Sequence, residues 1–342
     1  MAVDERTQAA PANVAIIVLN WNGWRDTVEC LASLNEVEYP NLRVIVVDNG
    51  SADDSVERIS NWCESSGVPC RVSDAPPAGS AGPWPPATVT ERGIAHLLLI
   101  ALRENAGFCA GNNIGMREAF ATGADFALIL NNDTVVTPFF LTPMVEAASR
   151  QEHVGLAGGV ICYAEPQDTI WFAGVSVDRF LEFHLRLTGQ RVQEAGLAGV
   201  MRTDAVTGCM MLVPRWTYEG LGGFDEHFFI WSEDWEYSLR VRASGYKLVV
   251  ATESRIYHKV GHSLGVMKPL SYYYGTRNRL ILKRMYLPWH LRTSFLTWFL
   301  ISRAARYAQF ALLGRWDLID AGCAAIRDYF RGRTGKWRRH CN

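Results

Sequence analysis

Apolar runs alternate with stretches of helical spacing in the first part of the chain. Residues 14–19 and 43–47 are almost entirely apolar, as expected of parallel strands that are buried on both faces. The stretches 24–34 and 53–63 follow these runs and have the spacing of helices with one apolar side. Ser51 is a suitable N-cap for the second helix. This order of elements is typical of βα units.

The same alternation returns after an irregular stretch. Residues 67–92 are rich in proline and are predicted to form a loop or insertion. Strands are predicted over 96–102 and 125–130, with a helix over 110–121 between them. Together these elements predict an α/β fold with a mostly parallel, doubly wound sheet. In such sheets ligands bind at the carboxyl ends of the strands.

Further elements and a change of charge mark the second half of the chain. A strand is predicted over 207–213, a helix from 231 to about 244, and a strand over 247–250 with a short extension. Residues 271–342 hold 14 Lys or Arg and 3 Asp or Glu, although the net charge of the whole chain is −1. The chain therefore combines an acidic body with a basic tail.

The basic tail is open to two interpretations. Residues 295–301 are apolar, but Arg303 and Arg306 follow them, and the chain has no apolar run of the roughly 20 residues that a membrane-spanning helix needs. The tail could lie on a membrane surface, drawn to anionic lipid, or attract a diphosphate-linked acceptor. Equally, it could pack on the body of the protein with its arginines in solvent. No motif indicates nucleic-acid binding.

Composition narrows the class of protein further. Of the 342 residues, 49% are hydrophobic and 20% are charged, which is typical of a globular protein with a sizeable core. The eight cysteines are scattered and form no CxxC pair, so they indicate neither a zinc site nor a disulfide framework. Reduced thiols and the absence of an apolar leader in residues 1–13 favour a cytoplasmic protein.

Polar side chains stand where the predicted strands end. Asn20, Asp48 and the run 131–133 each follow an apolar run. Asp48 could accept a hydrogen bond from a nucleobase, or belong to a simple turn of sequence DNGS. Asp133 is suited to a hard divalent cation that neutralises a diphosphate, or it could N-cap a helix that begins near Pro138.

Residues 104–115 (ENAGFCAGNNIG) have some features of a phosphate-binding glycine loop. The spacing is not GxGxxG, so the glycines alone are weak support. Asn112 and Asn113 stand near the predicted helix start, where they could contact a diphosphate or a ribose.

Acids at the start of the predicted helix 231–244 are candidates for catalysis. Glu233 and Asp234 lie between aromatic residues, and an apolar surrounding raises the pKa of a carboxyl towards that of a general base. Acids in a first helical turn also interact favourably with the helix dipole, and this structural role is adopted for Glu236 and for Glu226. Asp234 is predicted to be the base.

His258 is a candidate metal ligand. His258 and His262 flank a glycine in a loop that could close over a cation, and neutral imidazole could join Asp133 in binding it. The histidines at 96, 153, 184 and 227 are predicted to be structural.

Seven stretches of the chain, in this order, resemble the family-2 inverting glycosyltransferases, and within them the rhamnosyltransferase-like group. They are VAIIVLNWNG, VIVVDNGSADDS, NAGFCAGNNIG, ALILNNDTVV, TGCMMLVPRW, GGFDEHFFIWSEDWEYSLRVRASGY and YHKVGHS, which cover most of residues 14–263. Residues 272–279 also resemble the family. Two positions depart from its pattern: Asn131 replaces the first acid of the Asp-x-Asp motif, and Glu236 stands where an Asp is frequent.

The resemblance implies an A-type glycosyltransferase fold and a set of site residues. Residues 12–265 would form the catalytic domain, with a nucleotide-sugar half (12–135) and an acceptor half (136–265), and residues 266–342 a basic helical region. Metal would be held by Asp133 and His258, and Asp234 would act as base beside Glu233. The remaining candidates bind the nucleotide sugar (Asn20, Asp48, Gly107, Asn112, Asn113, Asn132) or lie on the acceptor side (Trp235, Thr207, Gly208).

The resemblance also implies a reaction. A sugar would pass from a nucleoside-diphosphate donor, with dTDP-rhamnose favoured and UDP-sugars second, to a hydroxyl of a glycan, a lipid-linked or a small-molecule acceptor. The divalent metal would be Mn²⁺ or Mg²⁺. A nucleotidyltransferase and a sugar-nucleotide-binding scaffold without catalysis are the rival hypotheses. The protein would be cytoplasmic or peripheral to the inner face of a membrane, without nucleic acid, and a homodimer is compatible with the sequence.

Overall fold

The computed structural model describes residues 11–74, 92–151, 153–259 and 268–338. Within these ranges the strands and helices follow each other as β1 (Val14–Asn20), α1 (Trp24–Leu34), β2 (Leu42–Asp48), α2 (Ser55–Ser66), β3 (Cys70–Ser73), β4 (Ile94–Ala101), α3 (Gly107–Ala121), β5 (Phe126–Asn131), β6 (Thr134–Val136), α4 (Leu141–Arg150), β7 (Val154–Tyr163), β8 (Ile170–Phe172), β9 (Val175–Val177), β10 (Phe183–Leu185), β11 (Val200–Thr203), β12 (Met210–Pro214), α5 (Arg215–Leu221), α6 (Glu233–Ala243), β13 (Lys247–His258), α7 (Pro269–Tyr286), α8 (Trp289–Leu312) and α9 (Trp316–Phe330).

One large sheet organises the described chain. Its strands lie in the order β11-β13-β7-β12-β5-β1-β2-β4-β3, while β6 pairs with β13 and β8 with β7. The strands β5, β1, β2, β4 and β3 are parallel, and β12 is antiparallel to both β5 and β7. The register places Asn20 opposite Asp48, and Leu19 opposite Asn131. The predicted polar strand ends therefore meet at one edge of the sheet.

Helices cover both faces of this sheet, which explains why its strands are apolar throughout. One core joins alternate residues of β1, such as Ile16, to side chains of α1, α2 and α4. The other core joins Ile17 to side chains of α3 and α6, including Met116 and Tyr237. The predicted α/β, doubly wound architecture is confirmed, with antiparallel strands added in its second half.

The glycines of α3 serve close packing. A Cβ on Gly111 would lie 2.4 Å from Leu19 Cδ1, and a Cβ on Gly115 would lie 2.4 Å from Ile17 Cγ2. Spaced four residues apart, the two glycines share the helix face that lies directly on β1. The glycine-rich sequence that suggested a phosphate loop is thus explained here by the approach of a helix to a strand.

Several local predictions are corrected. The stretch 67–92, predicted to be a loop or insertion, contains the strand β3. Residues 75–91 of this stretch lie outside the described part of the chain. Asp54, not Ser51, is the N-cap of α2, because Ser51 bonds to Asp48 instead. Residues after Asp133 form β6, so Asp133 does not cap a helix. Finally, β13 extends as far as His258 instead of ending near Val250.

The C-terminal region is helical, as predicted. Helices α7 and α9 pack against each other, and α8 contacts α9. The predicted domain boundary at 265 lies outside the described residues, and the predicted line between the two halves falls within β6. Since β12 and β13 extend the same sheet as β1 and β5, the two halves share one continuous sheet.

Candidate active site

Asp48 and Asn20 form a buried polar pair at the ends of the two central strands. Asn20 Nδ2 donates to Asp48 Oδ1 over 2.7 Å, and the Ser51 hydroxyl donates to the same oxygen over 2.6 Å. The Ser51 backbone N–H donates to Asp48 Oδ2 over 3.0 Å. These bonds fix the carboxylate at the sheet edge. Asp48 therefore belongs to a turn, and this role is compatible with a hydrogen bond to a nucleobase.

Thr27 extends this network towards Asn132. Its hydroxyl donates to Asn20 Oδ1 over 2.8 Å and accepts from Asn132 Nδ2 over 3.0 Å. The chain Asp48, Asn20, Thr27, Asn132 thus links the ends of β1, β2 and β5 through α1. Thr27 was not predicted, because its place on the inner face of an ordinary amphipathic helix carries no sequence signal.

Asp133 and His258 are brought together by the pairing of β6 with β13. Asp133 Oδ1 lies 3.1 Å from His258 Nε2. The Asp133 carbonyl accepts a hydrogen bond from the backbone of Lys259, whose ammonium contacts two acids of α1. Burial lowers the pKa of His258, but Cys209 and Asp133 outweigh it and raise this pKa to about 10. Because only a neutral imidazole binds a metal, a cation at this pair would have to displace a proton from His258.

The chemistry of this pair fits a divalent cation shared with a substrate. Among the described residues no group of three or more His, Cys, Asp and Glu could hold a metal by itself. Mg²⁺ and Mn²⁺ commonly take one or two protein ligands and complete their shell with substrate phosphates. The buried Nδ1 of His258 makes no hydrogen bond, and the ring lies edge-on to Trp171 at 4.8 Å between centroids. His262 lies outside the described residues.

Glu233 and Asp234 open α6 with two different environments. Asp234 Oδ2 accepts from the Gly208 backbone N–H over 3.2 Å, and Oδ1 accepts from the N–H of Trp235 over 2.8 Å. Burial raises the pKa of Asp234 to about 6, although these hydrogen bonds act in the opposite direction and lower it. Glu233 is buried, and its Oε2 makes no hydrogen bond. Burial and then the charge of Asp234 raise the pKa of Glu233 well above its usual range.

Cys209 connects the two acidic centres. Its carbonyl accepts from the Asn131 backbone N–H over 3.0 Å, which ties the start of β12 to the end of β5. Burial raises the pKa of the Cys209 thiol; the charge of His258 opposes this shift, and the charges of Asp133 and Asp234 add to it. Gly208, the residue before Cys209, donates to Asp234, and Asn131 stands two residues before Asp133. Both carboxylates therefore lie near the start of β12, while their position around one substrate stays a prediction.

The predicted acceptor-side residues surround Asp234. Gly208 donates to its carboxylate, and Thr207 hydrogen-bonds to it as well. Trp235 stacks on Phe183 with 4.9 Å between ring centroids. Phe183 belongs to the β9–β10 hairpin, which thereby forms a wall beside the Glu233–Asp234 pair.

Three predicted nucleotide-side residues have structural partners. Gly107 has φ +95°, and a Cβ there would lie 2.5 Å from the Phe229 ring. Both donors of the Asn113 amide are used, by Phe224 O and Glu226 Oε1, so we leave Asn113 out of the proposed donor site. Asn112 is buried and donates to Phe108 O, while its Oδ1 makes no hydrogen bond.

The acids predicted to be structural have fixed partners. Glu236 is buried in a two-point ion pair with Arg240 and accepts from the Tyr286 hydroxyl over 2.6 Å. Glu226 accepts from Asn113 over 3.0 Å. The position that departs from the family pattern, Glu236, thus anchors α6 to α7.

A strained loop leads into the Glu233–Asp234 pair. Phe229, Trp231 and Ser232 all have positive φ, a conformation that non-glycine residues seldom adopt unless their surroundings impose it. Asn278 of α7 imposes it, since its Nδ2 reaches the carbonyls of Phe228 (3.0 Å), Ile230 (2.8 Å) and Trp231 (2.7 Å).

Arg277 completes this clamp. Its side chain is buried, its Nε donates to Asn278 Oδ1 over 3.0 Å, and its guanidinium also donates to the carbonyls of His227 and Phe228. Neither residue was predicted as part of the site. The only sequence signal was the resemblance of residues 272–279 to the family.

Asn278→Ala should destabilise the protein by about 3 kcal/mol and lower kcat, because three backbone carbonyls lose their donor and the loop before Glu233 is released. Urea unfolding and turnover measure the two effects. Asn61→Ala on the exposed face of α2 is the matched control and should change neither. Unchanged turnover in Asn278→Ala would mean that the loop holds its shape without the clamp.

Comparison with protein families gives two matches. The model described as glycosyl transferase family group 2 matches residues 126–315, more than half of the chain. The model described as glycosyl transferase family 2 matches residues 15–76. The second range contains Asp48, and the first contains Asp133 and Asp234.

Curated relatives match over part of their length. O-antigen biosynthesis protein RfbC of Myxococcus xanthus is 31% identical over 161 residues, which are 43% of this chain and 12% of that protein. The uncharacterized protein Rv1525 of Mycobacterium tuberculosis is 27% identical over 158 residues, covering 45% of this chain and 54% of its own. The uncharacterized protein y4gI of Sinorhizobium fredii is 27% identical over 250 residues, which are 71% of this chain and 24% of that protein. The matches thus span between about an eighth and half of these relatives.

Two solved structures share the fold. GalNAc-T7 with UDP, GalNAc and Mn²⁺ aligns with a TM-score of 0.55 and 14% identity, over 78% of this chain and 47% of that one. The mannosyltransferase PcManGT from Pyrobaculum calidifontis, in complex with GDP-Man and Mn²⁺, aligns with a TM-score of 0.54 and 16% identity. The alignment covers 96% of this chain and 79% of that one. These likenesses confirm the A-type glycosyltransferase fold that the resemblance implied.

Proposed function

The chain belongs to glycosyl transferase family group 2, and on that premise we propose that it transfers a sugar from a nucleoside-diphosphate donor to an acceptor hydroxyl with inversion at the anomeric carbon. The observation that supports this proposal is that the residues beside the Asp133–His258 and Glu233–Asp234 pairs bond to the start of β12: Asp234 accepts from Gly208, and Asn131, just before Asp133, donates to Cys209. Asp133 itself is paired with His258. One pair is suited to the diphosphate of the donor, and the other to the hydroxyl of the acceptor.

Asp234 is proposed as the general base. A pKa of about 6 leaves this carboxyl ionised at neutral pH, yet more basic than an exposed aspartate. Hydrogen bonds from the backbone of Gly208 and Trp235 orient it. As the acceptor oxygen attacks the anomeric carbon, its proton passes to Asp234 and the bond to the diphosphate breaks. A single displacement of this kind inverts the configuration.

Glu233 is proposed to tune its neighbour. Burial, followed by the charge of Asp234, raises the pKa of Glu233 and so favours its protonated form. Ionisation of Glu233 would oppose that of Asp234 through like-charge repulsion. Glu233 is thus proposed to act on the base through its charge, without being the group that takes the acceptor's proton.

Asp133 and His258 are proposed to hold a divalent cation, Mn²⁺ or Mg²⁺. When bound, the cation would supply charge stabilisation to the departing nucleoside diphosphate. On the nucleotide side, Asp48 is proposed to accept from a base N–H. Asn20 donates to Asp48 directly, and Asn132 is linked to Asn20 through Thr27. Gly107 and Asn112 are proposed to shape the same side, through the approach of Phe229 and the buried amide oxygen of Asn112.

The donor and acceptor remain proposals of chemical class. From the rhamnosyltransferase-like pattern, dTDP-rhamnose is the proposed donor and UDP-sugars are second. A hydroxyl of a glycan or a lipid-linked intermediate is the proposed acceptor, and the similarity to an O-antigen biosynthesis protein supports polysaccharide assembly. Trp235, with Thr207 and Gly208, forms the proposed acceptor side.

The experiment that tests this function is a thermal-unfolding panel of nucleoside diphosphates and their sugars, each with and without Mn²⁺. We expect one nucleotide to raise the melting temperature selectively, and more with Mn²⁺ than without, because ligands that bind only the folded state stabilise it. Transfer is then measured by release of that nucleoside diphosphate. Equal shifts for every nucleotide, without a metal effect, would argue against a donor site at this sheet edge.

The stability of the protein should depend on pH through Asp234. Its folded pKa of about 6 lies above the ordinary value of 3.8, so the protonated carboxyl favours the folded state. This stabilisation is complete below about pH 4 and is lost as the pH rises through about 6. Asp234→Asn should therefore be more stable than the native protein at pH 7, by up to about 3 kcal/mol, and equal to it near pH 4. Urea unfolding at both pH values measures this, and a gain that is the same at both would contradict it.

A further inference from the structure

Helix α8 carries an apolar stripe on its exposed side. Trp298, Ile301 and Leu312 lie on one helix face, with Ala305 and Ala308 between them, and Ile301 and Leu312 are 66% and 89% exposed. The opposite face is buried through three phenylalanines, Phe295, Phe299 and Phe310. A helix on the surface of a globular protein normally turns its polar side outwards. Here the outward side is apolar as well.

The exposed apolar surface continues beyond the helix. Leu313 and Trp316 follow α8, Trp289 begins it, and all three are exposed. Phe330 at the end of α9 is exposed as well. Isolated exposed apolar residues are normal on any protein, but a row of tryptophan, isoleucine and leucine along one helix marks an interaction surface.

The charge around this stripe is mostly positive. Residues 269–316, which include α7 and α8, contain eight Lys or Arg and no Asp or Glu. Glu182 neutralises part of this charge by bonding Arg279 and Lys283. Arg284, Arg292 and Arg306 are exposed and form no ion pair within the described part of the chain.

The apolar stripe and the neighbouring arginines together indicate the kind of partner that this surface binds. An apolar stripe with arginines at its sides matches a helix that lies in the headgroup region of a bilayer, where the arginines meet anionic lipid. A second copy of the same face would bring like charges together, which disfavours a symmetric dimer there. None of the described helices is long and apolar enough to cross a membrane, so α8 would lie along the surface.

We propose that α8 binds the surface of an anionic lipid bilayer, with Trp298, Ile301 and Leu312 inserted among the lipids and the neighbouring arginines on the headgroups. The contact does not require the proposed sugar transfer, but it would orient the proposed site. Glu182 joins α7 to the β9–β10 hairpin, whose Phe183 stacks on Trp235 beside Asp234. A cavity of about 370 Å³ lies between the hairpin and α8, lined by Phe180, Glu182, Ser294, Phe295 and Trp298. The membrane would thus face the acceptor side.

Flotation of the full chain with lipid vesicles tests the proposal. We expect binding to an equal mixture of phosphatidylcholine and phosphatidylglycerol, weaker binding to phosphatidylcholine alone, and a loss of binding at high salt. Ile301→Glu and Leu312→Glu should each lower the partition coefficient by about tenfold or more, because a charge replaces an inserted side chain. Phe139→Glu, an equally exposed apolar residue just before α4, is the matched control and should bind as the native protein does.

Circular dichroism and light scattering complete the design. The variants must keep the native helical spectrum, and since Ile301 and Leu312 point into solvent, we expect them to fold. Native binding by both variants would overturn the proposal, as would failure of the native chain to bind the mixed vesicles. A lipid-free dimer that the same variants dissociate would assign the face to a second copy instead. No outcome depends on a sugar donor, so this result is separable from the test of transfer.

Discussion

Asp234→Asn is expected to lower kcat by about 10³-fold while the affinity for the donor stays within about twofold of the native value. An amide is nearly the same size as the carboxylate, but it cannot take the acceptor's proton, and removal of a general base typically costs 10² to 10⁴ in rate. The hydrogen bond from Gly208 can still be accepted by the amide oxygen. Single-turnover kinetics measure the rate, and calorimetry with the nucleotide and Mn²⁺ measures the affinity.

The matched control for this substitution is Glu226→Gln. Glu226 is also an acid in the segment around α6, and a glutamine can keep the hydrogen bond from Asn113. We expect near-native turnover in this variant. If Asp234→Asn turned over as fast as Glu226→Gln, Asp234 would not be the base, and a loss of donor affinity equal to the loss in rate would give it a binding role instead.

Removal of the proposed metal ligands should have the second largest effect. Asp133→Ala and His258→Ala are each expected to lower kcat by about 10²- to 10³-fold and to abolish the part of nucleotide stabilisation that requires Mn²⁺, because the charge of the leaving diphosphate is no longer balanced. Thermal unfolding with the selected nucleotide, with and without Mn²⁺, measures this independently of turnover. Asp133→Ala should stay folded without metal, since Asp133 is partly exposed. His258 is buried against Trp171, so circular dichroism of His258→Ala must show the native fold before its shifts are compared.

A second His–Asp pair provides the control. His184 Nε2 lies 3.3 Å from Asp178 Oδ2, but this pair is exposed on the β9–β10 hairpin. His184→Ala should leave the Mn²⁺-dependent shift unchanged. If His258→Ala kept that shift and Asp133→Ala lost it, the histidine would serve only as a charge partner of Asp133.

Much of the fold could be predicted from local patterns. Helix α1 was predicted at its observed bounds, and β1, β2, β4 and β5 to within one or two residues, because each is buried on both faces and therefore apolar along its whole length. The weaker predictions concerned short or irregular elements. The strand β3 was missed within a proline-rich stretch, and β13 was predicted too short because Ala251–Arg255 interrupts its register with β7.

For the site as well, local patterns indicated some residues and missed others. Asn20, Asp48 and Asp133 could be identified because polar residues directly after apolar strands mark the ligand-binding edge of a parallel sheet. Gly111 and Gly115 of α3 pack closely against β1, and the sequence could not distinguish this role from phosphate binding, since both require the absence of a side chain. Thr27, Arg277 and Asn278 were missed because their roles arise from contacts with segments remote in sequence.

The alternation of strands and helices, the polar strand ends and the family of the chain followed from the amino-acid sequence, since these depend on side-chain periodicity and short motifs. The antiparallel entry of β12 beside β5 and the pairing of β6 with the end of β13 became known only from the fold. Those pairings bring His258 to Asp133 and Gly208 to Asp234, and the burial that they create raises the pKa of both Glu233 and Asp234. Burial and charge proximity belong to pairs of residues far apart along the chain, and no local pattern records them.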